Sequence, residues 1–125
     1  MRLRIYYKNY RTLLWKIRDR VEAGEWNTWK VERVTMSDGK TVRRLVHVPP
    51  HDDQYDMIQL KLCLPSKEAI KNNEHYLDLI PVVKKGAVLS NKESYQKFAV
   101  VMGRWCEVLN RDFPDISEYH VYLKD

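Results

Sequence analysis

The chain has few of the residues on which common small-molecule sites depend. Only four glycines and two cysteines occur among its 125 residues. A phosphate cradle or a nucleophile elbow needs glycines at fixed spacing, and neither motif is present. Cys63 and Cys106 are too few for a disulfide framework, which favours a reducing compartment. We therefore expect no catalytic residue set, no cofactor and no metal.

Long apolar segments are also missing. No apolar run approaches the roughly 20 residues that a membrane helix needs. Residues 1–8 alternate charged and apolar side chains, whereas a secretory signal requires an uninterrupted apolar stretch of at least ~7 residues. The hydrophobic fraction of 44% is typical of a soluble globular protein. We expect a cytoplasmic protein without a membrane partner, folded as a single domain over residues 1–125.

Two stretches have the spacing of amphipathic helices. The first follows Asn9, a good N-cap residue, and ends at Gly24. The second begins at the capping box Ser90–Glu93 and ends before Pro114. Its apolar stripe is formed by Tyr95, Phe98, Ala99, Met102, Trp105, Cys106, Leu109 and Phe113. Since the stripe runs along one side of the helix, it predicts a helix that covers a core.

Alternating and β-rich segments predict the strands. Asp38-Gly39 lies between two β-rich runs and indicates a hairpin, and Pro81 favours an edge or a bulge in its strand. Residues 65–73 suit a short helix or a loop. The other strands are predicted at 2–7, 58–64, 77–83 and 119–123. Together these elements predict an α+β fold, a two-layer sandwich with an antiparallel or mixed sheet of about five or six strands and two long helices on one face.

The whole chain has a formal net charge of +5. Its basic side chains are concentrated in the first half. Such charge favours acidic partners. On the hairpin, a two-residue turn would place Arg33 opposite Arg44, and a bulged turn would place Glu32 opposite Arg44 and Arg33 opposite Arg43. Either register leaves like charges close together, which destabilises a strand pair. We expect the hairpin arginines to contact something anionic.

Tryptophan and tyrosine are abundant, with four and eight copies. Trp105 lies on the helical stripe and Trp29 in a strand, so both are expected in the core. Trp15 lies off the stripe of its helix, and Trp26 falls in the turn that follows. Because tryptophan and arginine are enriched at interface hot spots, we predict a partner-binding surface formed by Trp15, Arg18, Trp26, Arg33, Arg43 and Arg44.

A small α+β domain with surface aromatics and no catalytic set is typical of stand-alone binders such as toxin-immunity or inhibitor proteins. We therefore expect a non-enzymatic protein-binding module of that type. The alternative is an RNA- or DNA-binding protein that uses the basic hairpin, with Tyr6 or Trp29 as a stacking surface. Its phosphate-binding residues would be Arg2, Arg4, Lys30, Arg33, Arg43 and Arg44.

One further cluster surrounds Pro49 and Pro50. Its side chains could bind a metal or assist phosphodiester cleavage, since histidine titrates near neutral pH. Zinc-site spacings such as Cys-x-x-Cys are absent, and solvated carboxylates in a proline-enforced turn explain the cluster better than a functional site does. The sequence leaves both interpretations open. The members are His47, His51, Asp52, Asp53 and Asp56.

Overall fold

The fold consists of a six-stranded antiparallel sheet and three helices, as seen in a computed structural model that describes residues 1–47, 58–83 and 88–123. The strand order across the sheet is β2-β3-β4-β5-β1-β6. This confirms the predicted α+β class. Of the two predicted sheet types, antiparallel and mixed, the sheet is antiparallel. The elements are β1 (Arg2–Tyr6), α1 (Tyr10–Glu22), β2 (Trp29–Thr35), β3 (Thr41–His47), β4 (Ile58–Cys63), α2 (Lys67–Lys71), β5 (Tyr76–Val83), α3 (Asn91–Asp112) and β6 (Glu118–Tyr122).

The two long helices, α1 and α3, pack on the same face of the sheet. Side chains alternate along each strand, so every second residue points toward the helices. The core residues of this helix-covered face include Leu3, Ile5, Leu60, Leu62, Leu77 and Leu79, which pack with Leu13 and Ile17 of α1 and with Phe98, Trp105 and Leu109 of α3. Neither long helix covers the opposite face, which we call the open face.

The helices begin where the sequence predicts. The Asn9 side chain accepts hydrogen bonds from the backbone N–H groups of Arg11 and Thr12 at the start of α1. Ser90 accepts one from Glu93 at 3.2 Å and caps α3. Ser66 caps α2 in the same way, so residues 65–73 contain a short helix. Each side chain satisfies N–H groups that lack a partner within the helix.

Helix α3 is rotated relative to its predicted apolar stripe. Val101 is buried, whereas Tyr95 is 46% exposed and Ala99 is also exposed. Val121 on β6 and Leu123, which follows the strand, are 40% and 62% exposed. The sheet ends at β6, so one side of the α3 stripe faces a groove at the sheet edge instead of the core.

Strand β5 is an interior strand although it contains Pro81. In the β4–β5 ladder Pro81 lies opposite Leu60. On the other side, β1 pairs with β5 only over residues 76–79. Pro81 therefore lies beyond the end of the β1 ladder, where its missing N–H leaves no gap in that pairing. On the side toward β1, Pro81 is therefore at an edge position, although β5 as a whole is an interior strand of the sheet.

Candidate protein-binding groove

The β2–β3 hairpin closes through a bulged turn. Gly39 adopts a φ of +85°, and the Met36 N–H donates to the Lys40 carbonyl at 2.7 Å. The strands then pair with Glu32 opposite Arg44 and Arg33 opposite Arg43. Of the two predicted registers, the bulged one is correct. Alternation along the strands places Arg33 and Arg43 on the helix-covered face.

A small groove lies between α1 and the helix-covered face of the neighbouring strands. Leu45 and Leu62 form its buried floor, while Val31 and Leu64 at its mouth are 43% and 54% exposed. Its volume of about 100 Å³ gives it room for a single apolar side chain. We call it the basic groove, and its lining consists of Leu14, Arg18, Val31, Arg43, Arg44, Leu45, Leu62 and Leu64.

The rim of the basic groove is positively charged. Within the described part of the chain, no ion pair involves Arg33, Arg43 or Arg44. Arg18 contacts Glu22 at 3.9 Å, a distance at which exposed pairs contribute little to stability. Arg33 and Arg43 also lie directly opposite each other, so an anion between them would relieve their repulsion. The groove therefore combines an apolar floor with cations available to a ligand.

Trp15 extends this surface along α1. Its side chain is 64% exposed, and the guanidinium carbon of Arg18 lies 5.6 Å from its ring centroid. This stacking holds an aromatic ring and a cation side by side next to the groove. The structure thus gathers Trp15, Arg18, Arg33, Arg43 and Arg44 in one region, although alternation directs the Arg44 side chain toward the open face.

The prediction that Trp26 belongs to the partner-binding surface is wrong, because Trp26 is buried with only 4% of its area exposed. Its indole N–H donates to an Asp112 carboxylate oxygen at 2.8 Å, and its ring centroid lies 5.1 Å from that of Trp105. The turn after α1 folds back, with the Trp26 N–H bonded to the Arg20 carbonyl. This places the Trp26 ring against α3, so its position in a turn did not imply exposure.

The predicted phosphate-binding residues do not form one surface. Arg2 and Arg4 bind the buried Asp78 carboxylate at 3.1 and 3.0 Å. Hydrogen bonding to Asp78 raises the pKa of Arg4 above its ordinary value, and Arg4 also lies 3.8 Å from the Tyr76 ring centroid. By strand alternation, Arg33 and Arg43 lie on the other face of the sheet from these two arginines. Trp29, proposed for base stacking, is buried at 5% exposure.

The predicted histidine and aspartate cluster lies mostly outside the described residues, which exclude His51, Asp52, Asp53 and Asp56. His47 is described and buried, with its ring centroid 5.5 Å from that of Trp29 and 5.1 Å from that of Trp105. It is therefore part of the aromatic core. In the described ranges, no group of three or more potential metal ligands is found.

Both cysteines are half-buried, and burial raises the pKa of the Cys63 and Cys106 thiols. The thiolate is the nucleophilic form. A raised thiol pKa lowers the thiolate fraction at neutral pH, which argues against Cys63 as a catalytic nucleophile.

We expect iodoacetamide to alkylate Cys63 at pH 8 at least several-fold more slowly in the folded protein than in the urea-unfolded chain. The shifted pKa and the half-buried position both act in this direction. Time-resolved mass spectrometry of the labelled peptide gives the two rates. Equal rates would show that the fold neither shields the Cys63 thiol from the reagent nor raises its pKa.

No protein-family model, curated protein or solved structure matches the chain. No helix in the described ranges has the length and apolar character needed to cross a membrane. The basic groove is therefore the candidate functional site. Its apolar lining residues Leu14, Val31 and Leu64 were not predicted from the sequence. Leu64 offered one signal, since it continues the apolar alternation of β4 beyond the end of the strand.

Proposed function

We propose that the protein is a small cytosolic, non-enzymatic protein-binding module of immunity or inhibitor type. The basic groove is its binding site, and its partner presents an acidic surface with one protruding apolar side chain. The observation that carries the proposal is the apolar floor formed by Leu45 and Leu62 beneath two cations, the half-buried Arg18 and the exposed Arg43. Trp15 flanks this floor as a second anchor.

The energetics of such an interface follow from its parts. An apolar side chain that enters the groove would cover the exposed surface of Val31 and Leu64 and gain from the loss of water contact. Carboxylates of the partner would pair at the rim with Arg43, for which the described residues contain no ion-pair partner. Such charge pairing would steer association and select against basic partners. Trp15 would be covered at the edge, where aromatic anchors provide much of the binding energy.

Nucleic-acid binding is the weaker alternative. It is favoured by one observation, the directly opposed Arg33 and Arg43 on a two-stranded ribbon. Against it, Arg2 and Arg4 are bonded to Asp78. If this alternative held, affinity for oligonucleotides would fall with a log–log salt slope of about 0.7–0.9 per phosphate contact.

Affinity capture from lysate of the native host, followed by mass spectrometry, tests the proposal. We expect the wild type to recover one stoichiometric protein partner. Arg43→Glu and Trp15→Ala should each weaken this binding by about 30-fold, the effect of losing a hot-spot residue. Lys61→Glu is the charge-matched control, because Lys61 lies on β4 with its side chain on the open face.

Two results would contradict the proposal. One is recovery of the same partner by Arg43→Glu and by the wild type in equal amounts. The other is recovery of no stoichiometric protein across several lysates and salt concentrations. Salt-dependent oligonucleotide binding in the second case would select the nucleic-acid alternative.

A further inference from the structure

Strand β2 forms one edge of the sheet, beside the basic groove. It is the first strand in the sheet order and, among the described strands, it pairs only with β3. Val31, at the mouth of the groove, lies on this strand. The outer side of β2 is therefore continuous with the groove to which we assigned the binding of a protein partner.

The hydrogen-bond pattern of the hairpin determines which backbone groups of β2 point outward. The Met36 N–H donates to the Lys40 carbonyl, so these two residues form a hydrogen-bonded pair. In an antiparallel ladder such pairs alternate with pairs that are not hydrogen-bonded. The even-numbered residues of 30–34 thus direct their N–H and C=O groups toward β3, and the odd-numbered residues of 29–35 direct theirs outward. Trp29 agrees with this assignment, because its N–H donates to a carbonyl of the preceding turn.

The outward groups of Val31, Arg33 and Thr35 are available for pairing. All three residues are exposed, and no turn or loop of the described chain accepts a hydrogen bond from their backbone N–H groups. An extended segment beside β2 would bond to these groups, as when a peptide adds a strand to a sheet edge. Its side chains would alternate between the two faces of the sheet. Every second one would therefore lie beside Val31 and Arg33 on the helix-covered face.

The side chains of β2 on that face indicate which segment fits. Val31 is 43% exposed, so an apolar side chain opposite it would cover both Val31 and the mouth of the groove. Arg33 lies opposite Arg43, so a carboxylate opposite Arg33 would offset the repulsion between the two cations. The same charge acts against pairing with a second copy of β2, as charged residues on edge strands commonly do. The edge thus fits a segment with an apolar residue two positions from an acidic one.

We propose that the partner of the basic groove binds by strand addition, with an extended acidic segment paired to the outer side of β2. An apolar side chain of this segment covers Val31 and enters the groove. An acidic side chain two positions away pairs with Arg33 and Arg43. Main-chain hydrogen bonds provide affinity, and the alternate side chains provide specificity. This inference rests on the proposed function, since it names the form in which the partner occupies the basic groove.

Amide hydrogen exchange measured by NMR tests the strand addition with a synthetic peptide. The probe is Thr-Glu-Thr-Leu-Thr-Glu-Thr, acetylated and amidated, which presents leucine between two glutamates on one face in either strand direction. With peptide bound, exchange of the Val31 and Arg33 amides should slow by about tenfold or more, since each gains an acceptor. The Glu32 and Val34 amides already bond to β3 and should change little. The matched control, Thr-Lys-Thr-Leu-Thr-Lys-Thr, should bind at least about tenfold more weakly.

Two variants at position 33 separate the backbone bond from the charge. Arg33→Gln removes the charge and keeps the N–H, and it should weaken peptide binding by about fivefold. Arg33→Pro removes both, and it should weaken binding by about fivefold more through the loss of one hydrogen bond. Because the N–H of residue 33 faces outward, proline there removes no bond to β3. Urea unfolding shows whether each variant is folded.

Four results would overturn strand addition. The first is no binding of the acidic peptide up to about 2 mM, which would detect even a weak complex, and the second is equal binding of the lysine peptide. The third is bound peptide that leaves the Val31 and Arg33 amides exchanging as in the free protein, with equal affinity of the two folded variants. The fourth is the same slowing in concentrated protein without peptide, which would assign the edge to a second copy. The proposed function fails by a different result, when Arg43→Glu recovers the partner as the wild type does or when no protein is recovered.

Discussion

Replacing Trp105 with alanine is expected to lower the free energy of unfolding by about 3–5 kcal/mol, the range for a buried large aromatic. Trp105 is 7% exposed, and its ring centroid lies 5.1 Å from that of Trp26 and 5.2 Å from that of Trp29. It joins α3 to β2 and to the turn after α1. Trp26→Ala should cost a similar amount, because it also removes the donor to Asp112.

Urea unfolding monitored by circular dichroism measures these effects. Trp15→Ala is the control, and it should change stability by no more than about 0.5 kcal/mol because Trp15 is on the surface. A loss of 3–5 kcal/mol is a large part of a typical total stability of about 5–15 kcal/mol. If Trp105→Ala unfolded at the wild-type midpoint, α3 would not pack against β2 as described.

Asp78→Asn is expected to destabilise the protein by roughly 2–4 kcal/mol. Asp78 is 2% exposed, and its carboxylate binds both Arg2 and Arg4. Asparagine keeps the size of the side chain but leaves two guanidinium groups without their counter-charge. The expected loss lies below that for a fully buried pair because the Arg2 and Arg4 side chains are 33% and 20% exposed, so water partly solvates them.

The same unfolding experiment, repeated in 1 M salt, separates this network from a surface ion pair. Screening is weak for buried charges, so the deficit of Asp78→Asn should persist in high salt. Asp19→Asn on the exposed side of α1 serves as the control and should change stability little. A deficit for Asp78→Asn that disappeared in 1 M salt would contradict the burial of this network.

The secondary structure was predictable because its signals are local. Asn9 and Ser90 satisfy N–H groups within three residues of themselves, and Asp38-Gly39 determines its own turn. The burial of Trp26 was not predictable, because it depends on the path of the turn that places its ring against α3. The rotation of α3 depends on where the sheet ends, which no local pattern records.

The charged residues around the basic groove could be predicted from the sequence, but the apolar floor of the groove could not. Five of the six predicted residues lie in one region, because Arg33, Arg43 and Arg44 share the hairpin while Trp15 and Arg18 share a turn of α1. The apolar floor forms where Leu45 of β3 and Leu62 of β4 lie beside Leu14 of α1. That is a property of packing between elements distant in sequence, so the pattern of any one element does not reveal it.

Site-specific photo-cross-linking tests the central claim most directly. A photoreactive residue at position 31, at the mouth of the basic groove, is compared with one at position 82, because Val82 on β5 is 36% exposed and Val31 is 43% exposed. Irradiation in native lysate should give a single protein adduct from position 31 and none from position 82. Equal protein adducts from both positions, or adducts with nucleic acid alone, would contradict a protein-binding basic groove.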